Sequence, residues 1–159
     1  MSTLIVYITR HGCTEKAAEK LENSLDDDVT IVNLKKNSKP DLSSFDTIII
    51  GGSIHAGQIQ KKIKKFCREN LSTLLQKRLG LYLCCMEEGD TAQKQFEEAY
   101  PAELRNHAAA AGLFGGEFDF NKMNFLERSI VKKVANIIES VSKLRADQIH
   151  QFVATLNLK

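Results

Sequence analysis

Thr9-Arg10-His11-Gly12-Cys13-Thr14 gathers two hydroxyls, a guanidinium, an imidazole, a thiol and a glycine between an apolar run and an amphipathic one. A turn that leads into a helix exposes backbone N–H groups at the positive end of the helix dipole, and this favours a phosphate. Gly12 permits close approach or a positive φ. Thr9 and Thr14 supply hydroxyl donors, and Thr14 also suits the helix cap. Neither GxGxxG nor GxxxxGK[ST] occurs in the sequence, so dinucleotide and nucleoside-triphosphate loops are weak explanations. A hydroxyl-rich loop with one glycine suits a terminal monophosphate. Cys13 lies where a helix start can activate a thiol. No His–acid arrangement is readable around it, which sets nucleophilic catalysis aside.

The elements that must position this loop alternate along the chain. "TLIVYI" (3–8) is a continuous apolar run, as expected of a strand buried on both faces. Residues 14–25 put Ala17, Ala18, Leu21 and Leu25 on one helical face. "VTIVNL" (29–34) and "TIIIGGS" (47–53) read as the second and third strands. Ile59, Ile63, Phe66, Leu71 and Leu74 follow helical spacing with lysines between them. "LGLYLCC" (79–85) is the fourth strand, and an acidic helix near 91–100 ends before Pro101. "AAAAGLFGGEF" (108–118) supplies the fifth, with Gly115 and Gly116 suggesting a bulge or interruption. Ile149, Phe152, Val153 and Leu156 mark the closing helix.

Strands separated by helices imply βαβ units and a parallel sheet covered on both faces, in one domain spanning 1–159. Ligands of such sheets bind beyond the carboxyl ends of the strands. One segment exceeds the alternation: 119–144, in which Asn124 could cap a helix. Met123, Leu126, Ile130, Val134, Ile137, Ile138 and Val141 would form its apolar stripe. The readings for that stripe are packing on the domain, a homodimer surface, or a face for a lipophilic substrate or a peripheral membrane contact.

Composition is that of a globular protein, with 43% hydrophobic and 26% charged residues. No apolar run reaches the roughly 18–20 residues of a membrane span. The N-terminus does not read as a signal peptide, so the expected location is cytoplasmic. The four cysteines, Cys13, Cys67, Cys84 and Cys85, form no CxxC pair and no zinc-type cluster. The adjacent Cys84 and Cys85 read as buried free thiols. Net charge is only +2, but Lys61, Lys62, Lys64, Lys65, Arg68, Lys77 and Arg78 cluster against Glu69 alone. Glu87, Glu88, Asp90, Glu97, Glu98 and Glu103 then reverse the sign. Lysines without interleaved aromatics do not suit nucleic acid.

The sequence "TRHGCT" resembles the loop [ST]-x-T-G-x-[ST] of the flavodoxins, which wraps the phosphate of flavin mononucleotide (FMN). It matches at Thr9, Gly12 and Thr14 and departs at His11, where a threonine is usual. The resemblance covers nearly the whole chain. It implies a flavodoxin-like α/β three-layer sandwich with five parallel strands in the order 2-1-3-4-5, helices on both faces, and a helical insertion after strand five. By the same likeness Thr9, Arg10, His11, Gly12, Cys13 and Thr14 would hold the phosphate. Ser53, Ile54, His55, Ala56 and Gly57 would border the isoalloxazine on one side. Cys84, Cys85, Met86, Glu87, Glu88 and Gly89 would border it on the other.

Within that family the chain looks closest to the branch containing menaquinone-dependent protoporphyrinogen oxidase, through the loop arginine, the "GGSIHAG" stretch (51–57) and the insertion. The insertion here lacks tryptophan and is less aromatic. Two redox functions follow from the resemblance. One is an FMN electron carrier serving a redox partner protein; the other is a quinone-linked oxidase of protoporphyrinogen. A third, non-enzymatic expectation is a cofactor-free interaction domain. Flavodoxins as a family are acidic, whereas this chain has a pI of about 8.3.

Overall fold

A computed structural model describes residues 1–10, 12–118, 141–142 and 144–157. Five strands run parallel: β1 (Ser2–Tyr7), β2 (Asp28–Asn33), β3 (Thr47–His55), β5 (Arg78–Cys84) and β6 (Ala110–Leu113). A short β4 (Gln58–Ile59) folds back antiparallel onto the end of β3. The sheet order is β2-β1-β3-β5-β6, which is the order expected for the five main strands. The helices are α1 (Cys13–Ser24), α2 (Lys61–Glu69), α3 (Leu71–Leu74), α4 (Gly89–Ala99), α5 (Ala102–His107) and α6 (Ala146–Asn157).

The continuous apolar runs are explained by two cores, one on each face of the sheet. Successive strand residues point to opposite faces. Leu4, Val6, Ile48, Ile50, Leu79, Leu81 and Leu83 therefore enter one core, under Ile63 and Phe66 of α2 and Phe96 of α4. Ile5, Tyr7, Ile49, Tyr82 and Cys84 enter the other, under Ala17, Ala18 and Leu21 of α1 and Ile149 and Phe152 of α6. Both faces being apolar, the strands lose the alternation that a half-exposed sheet shows.

The glycines of "TIIIGGS" give room to neighbours. A Cβ at Gly51 would lie 1.9 Å from Tyr82 Cζ, and one at Gly52 would lie 2.5 Å from Ile59 Cδ1. Tyr82 is fully buried, stacked on Phe114 with centroids 4.9 Å apart. The Tyr100 hydroxyl, also buried, donates to the Tyr82 carbonyl at 2.6 Å.

Several boundaries differ from the sequence expectation. Ile59 belongs to β4 and not to a helix, because Ala56 and Gly57 turn the chain back before α2 begins. Helix α5, absent from the periodicity, follows Pro101. The fifth strand stops at Leu113, and Gly115 at φ 79° supplies the expected interruption. The chain then forms β7 (Glu117–Phe118), which pairs antiparallel with β8 (Val141–Ser142). The helix expected over 119–144, with its Asn124 cap and apolar stripe, falls outside the described residues over 119–140 and at 143. At 141–142 the backbone is strand, so a helix does not extend to that end.

Candidate functional site

Because β1, β3 and β5 are parallel neighbours, the loops that follow them open at one edge of the sheet. The loop after β1 closes on itself: Gly12 N–H donates to Thr9 Oγ1 at 2.8 Å. Gly12 takes a left-handed φ of 93° and is the N-cap of α1, with no side-chain cap bond. The expectation that Thr14 caps the helix is therefore corrected. Thr14 lies inside the first turn, fully buried, and its Oγ1 has no hydrogen-bond partner. The Cys84 thiol is close enough for Thr14 to favour its charged form. An orphaned buried hydroxyl costs about 1–3 kcal/mol, so a native partner for it is expected. His11 lies outside the described residues.

The loop is anchored from below. Tyr82 donates its hydroxyl to the Thr14 carbonyl at 3.0 Å. Cys13 and Cys84 hydrogen-bond thiol to thiol, and this contact, followed by burial, pushes the Cys84 thiol well above its ordinary range. Cys84 is thus floor rather than wall. On the outer side Tyr7 donates to Glu15 Oε1 at 2.9 Å. Burial first, then Glu15, pushes the Tyr7 hydroxyl up to about 12.

The loop after β3 is a two-residue hairpin. Ala56 and Gly57 both have positive φ, 51° and 79°, as such a turn requires. An alanine in that conformation costs roughly 1–2 kcal/mol. A glutamine at the far end of the hairpin offsets this. Gln60 Oε1 accepts Ser53 N–H at 3.0 Å, and Gln60 Nε2 donates to Ser53 Oγ at 2.7 Å and to the Ile8 carbonyl at 3.4 Å. Ser53 Oγ also lies 3.0 Å from His55 Nε2. Gln60 therefore ties the end of β1 to the end of β3 and fixes the serine hydroxyl between them. Nothing in the periodicity marks this residue; only its place after a tight hairpin hints at it. Ile54 and His55 are half-buried, while Ala56 and Gly57 are exposed.

The loop after β5 forms one wall of a depression of ≈ 770 Å³, lined by Cys85, Met86, Glu87, Glu88 and Gly89 and by Leu144–Asp147 opposite. Cys85 N–H donates to the Gly115 carbonyl at 2.9 Å, which holds the loop against the end of β6. Burial, then the charge of Glu87, pushes the Cys85 thiol up to about 11. Arg10 and His55 line a different depression, of ≈ 410 Å³. Among the described residues, Arg10 and His55 thus line one depression and Cys85–Gly89 another, each at the carboxyl ends of the parallel strands.

A model of the flavodoxin domain matches residues 4–143. The chain belongs to the flavodoxin domain family. Among solved structures, this flavodoxin domain is similar to oxidised flavodoxin 1 from Bacillus cereus, with 16% identity and a TM-score of 0.60 over 99% of this chain and 98% of that one. It is also similar to a short-chain flavodoxin associated with a bacterial microcompartment, at 17% identity and TM-score 0.63 over 99% and 97% of the two chains. A third, a Fusobacterium nucleatum flavodoxin variant bound to FMN, is 16% identical with TM-score 0.54 over 99% and 95%. A search of curated proteins gave no match. At these identities the structural likeness speaks for the fold. Among the described residues, no helix is long and apolar enough to cross a membrane.

Proposed function

We propose that this flavodoxin domain binds FMN and acts in electron transfer. The observation that carries the proposal is the Thr14 hydroxyl, buried and unpartnered on the first turn of α1, just past a left-handed Gly12. A phosphate is the group that satisfies such a hydroxyl together with the free N–H groups of a helix start. Thr9, Gly12, Cys13 and Thr14 would hold it, with Arg10 adding charge and His11 in place of the usual hydroxyl. Ser53–Gly57 and Cys85–Gly89 would border the ring system. When bound, FMN supplies one- and two-electron redox chemistry, and the protein supplies binding, orientation and electrostatics. The chain's own part is to fix Ser53 through Gln60 and His55 and to keep the Cys84 thiol protonated beneath the loop. No protein acid or base is required.

The narrower expectation of a quinone-dependent protoporphyrinogen oxidase rests on the sequence resemblance alone. Its lipophilic acceptor, like the homodimer and membrane readings, depends on 119–144. A cofactor-free interaction domain leaves the Thr14 hydroxyl without a purpose. Anaerobic reduction of the FMN-loaded protein, followed by reoxidation with protein and quinone acceptors, separates these. A carrier passes electrons to a redox protein and leaves protoporphyrinogen untouched. Turnover of protoporphyrinogen with menaquinone would replace the carrier by the oxidase, and failure to retain FMN would remove both.

A further inference from the structure

The basic run of 61–78 does not survive folding as one patch. Lys77 Nζ donates to the Phe45 carbonyl at 2.7 Å, and Arg78 reaches the Leu156 carbonyl at 3.3 Å. Both tie down the opposite end of the sheet, where β5 begins. Lys65 faces Glu69 across 3.8 Å. What remains is Lys61, Lys62, Lys64 and Arg68, all exposed and without ion pairs among the described residues.

Folding then adds cations from elsewhere. Lys35, just past β2, and Arg10, in the β1–α1 loop, line the ≈ 410 Å³ depression together with Lys61, His55, Gln58 and Gln60. Three separate segments thus place positive charge beside the loops proposed to hold FMN. The boundary is visible as well. Lys64 shares a neighbouring depression with Glu98 of α4, so the basic surface ends there. Glu87 and Glu88 stand exposed on the loop after β5, and Asp90 on the first turn of α4. Among the described residues, the cations of the ≈ 410 Å³ depression thus stand on the β2 side of the candidate loops, and Glu87 and Glu88 stand on the β6 side, where Arg145 and Asp147 line the ≈ 770 Å³ depression with them.

Building positive charge here opposes the helix it stands on. The first turn of α2 carries lysines and no acidic residue, the reverse of what the helix dipole favours. Arg10, Lys35, Lys61 and Lys62 are all exposed rather than enclosed. Exposed cations are screened and hold a small anion poorly, but they act together over about a Debye length of 8–10 Å on an extended charged surface. They raise encounter rates and set the orientation of docking more than they add affinity.

We infer that the face formed by Arg10, Lys35, Lys61 and Lys62 docks a carboxylate-rich surface of a redox partner protein beside the cofactor loops. The inference rests on the electron-transfer reading above and names the class of partner it serves. It gives this flavodoxin domain a polarity opposite to that of an acidic carrier meeting a basic partner.

The test is binding, read without flavin chemistry. A fluorescently labelled acidic [2Fe–2S] ferredoxin and a basic cytochrome c serve as probes of the FMN-loaded protein, by anisotropy. The ferredoxin is expected to bind at low ionic strength and to lose at least tenfold in affinity between about 20 and 300 mM salt, where screening shortens to a few ångströms. The triple variant Lys35→Glu/Lys61→Glu/Lys62→Glu is expected to lose a further tenfold or more at low salt and to gain affinity for cytochrome c, with its FMN affinity unchanged. Ferredoxin binding that is absent, insensitive to salt, or unaltered in the triple variant overturns the inference. So does a preference for anionic phosphatidylserine vesicles over ferredoxin, or charge-dependent self-association in place of either. If FMN fails to bind while the ferredoxin result holds, the flavin reading falls and the docking face stands.

Discussion

Alanine at Gly51 would place a methyl group 1.9 Å from Tyr82 Cζ and 2.3 Å from both its Cε1 and its hydroxyl oxygen. Ordinary contact is 3.4–4 Å, so the ring would have to retreat by well over an ångström. It has nowhere to go. Phe114 stacks on the ring at 4.9 Å, and Phe152 packs edge-on against Phe114 at 5.3 Å. Overpacking of this kind costs about 1–3 kcal/mol. Displacing the ring also breaks the Tyr82–Thr14 bond and leaves the buried Tyr82 hydroxyl unpaired, adding about 1–3 kcal/mol. The expected loss is about 2–6 kcal/mol, which for a domain of this size is a fall in Tm of roughly 4–24 °C. Urea unfolding at constant m would measure it. Gly57→Ala is the control: nothing lies within 4 Å of its Cβ, but its φ of +79° is unfavourable for alanine. That substitution should cost only about 1–2 kcal/mol. A Gly51→Ala loss below about 0.5 kcal/mol, or one smaller than that of Gly57→Ala, would refute the packing argument.

Further predictions follow from the same geometry. Gln60→Ala strips partners from Ser53 N–H and the Ile8 carbonyl, so stability should fall by about 2 kcal/mol in urea unfolding; a change within 0.5 kcal/mol would contradict the clamp. Thr14→Val removes an unpartnered hydroxyl: the apo-protein should be unchanged or about 1 kcal/mol more stable, while FMN affinity falls tenfold or more in calorimetric titration. Loss of stability without loss of FMN affinity would reverse that assignment. Burial raises Cys67 to about 12 and Cys85 to about 11, and Tyr7 stands at about 12. These groups stay protonated in the fold while the unfolded chain ionises from about pH 8.5–10, so stability should be full below pH 8.5 and fall as pH rises toward 12. A urea midpoint that is flat from pH 8.5 to 11 would contradict it. The same burial predicts that Ellman's reagent finds no fast-reacting thiol in the native protein and four in urea.

How much of this was legible in the sequence depended on whether the signal was local. The central strands could be read because each is an unbroken apolar run between turn residues, and burial on both faces is what removes the alternation; their order came from the family resemblance. The hydroxyl–glycine loop was legible because a strand, a glycine and a helix start are contiguous in the chain. Gln60 was not, since its partners Ile8 and Ser53 come from two other strands. The place of Ile59 was misread because its spacing to Ile63 is also helical. The turn that breaks the pattern begins at Ala56, a residue that does not announce one, and is completed by Gly57. The basic run was visible in the sequence, but its division was not: Lys77 and Arg78 are neighbours in the chain of lysines that the fold sends to the other end of the sheet.

The most direct test of the account is a fluorescence titration of the apo-protein with FMN and, in parallel, with riboflavin, which lacks the phosphate. The account predicts one FMN per chain, quenched on binding, and riboflavin held at least a hundredfold more weakly, a difference of about 2.7 kcal/mol supplied by the loop from Thr9 to Thr14. Equal affinity for the two flavins, or binding of neither, would contradict it.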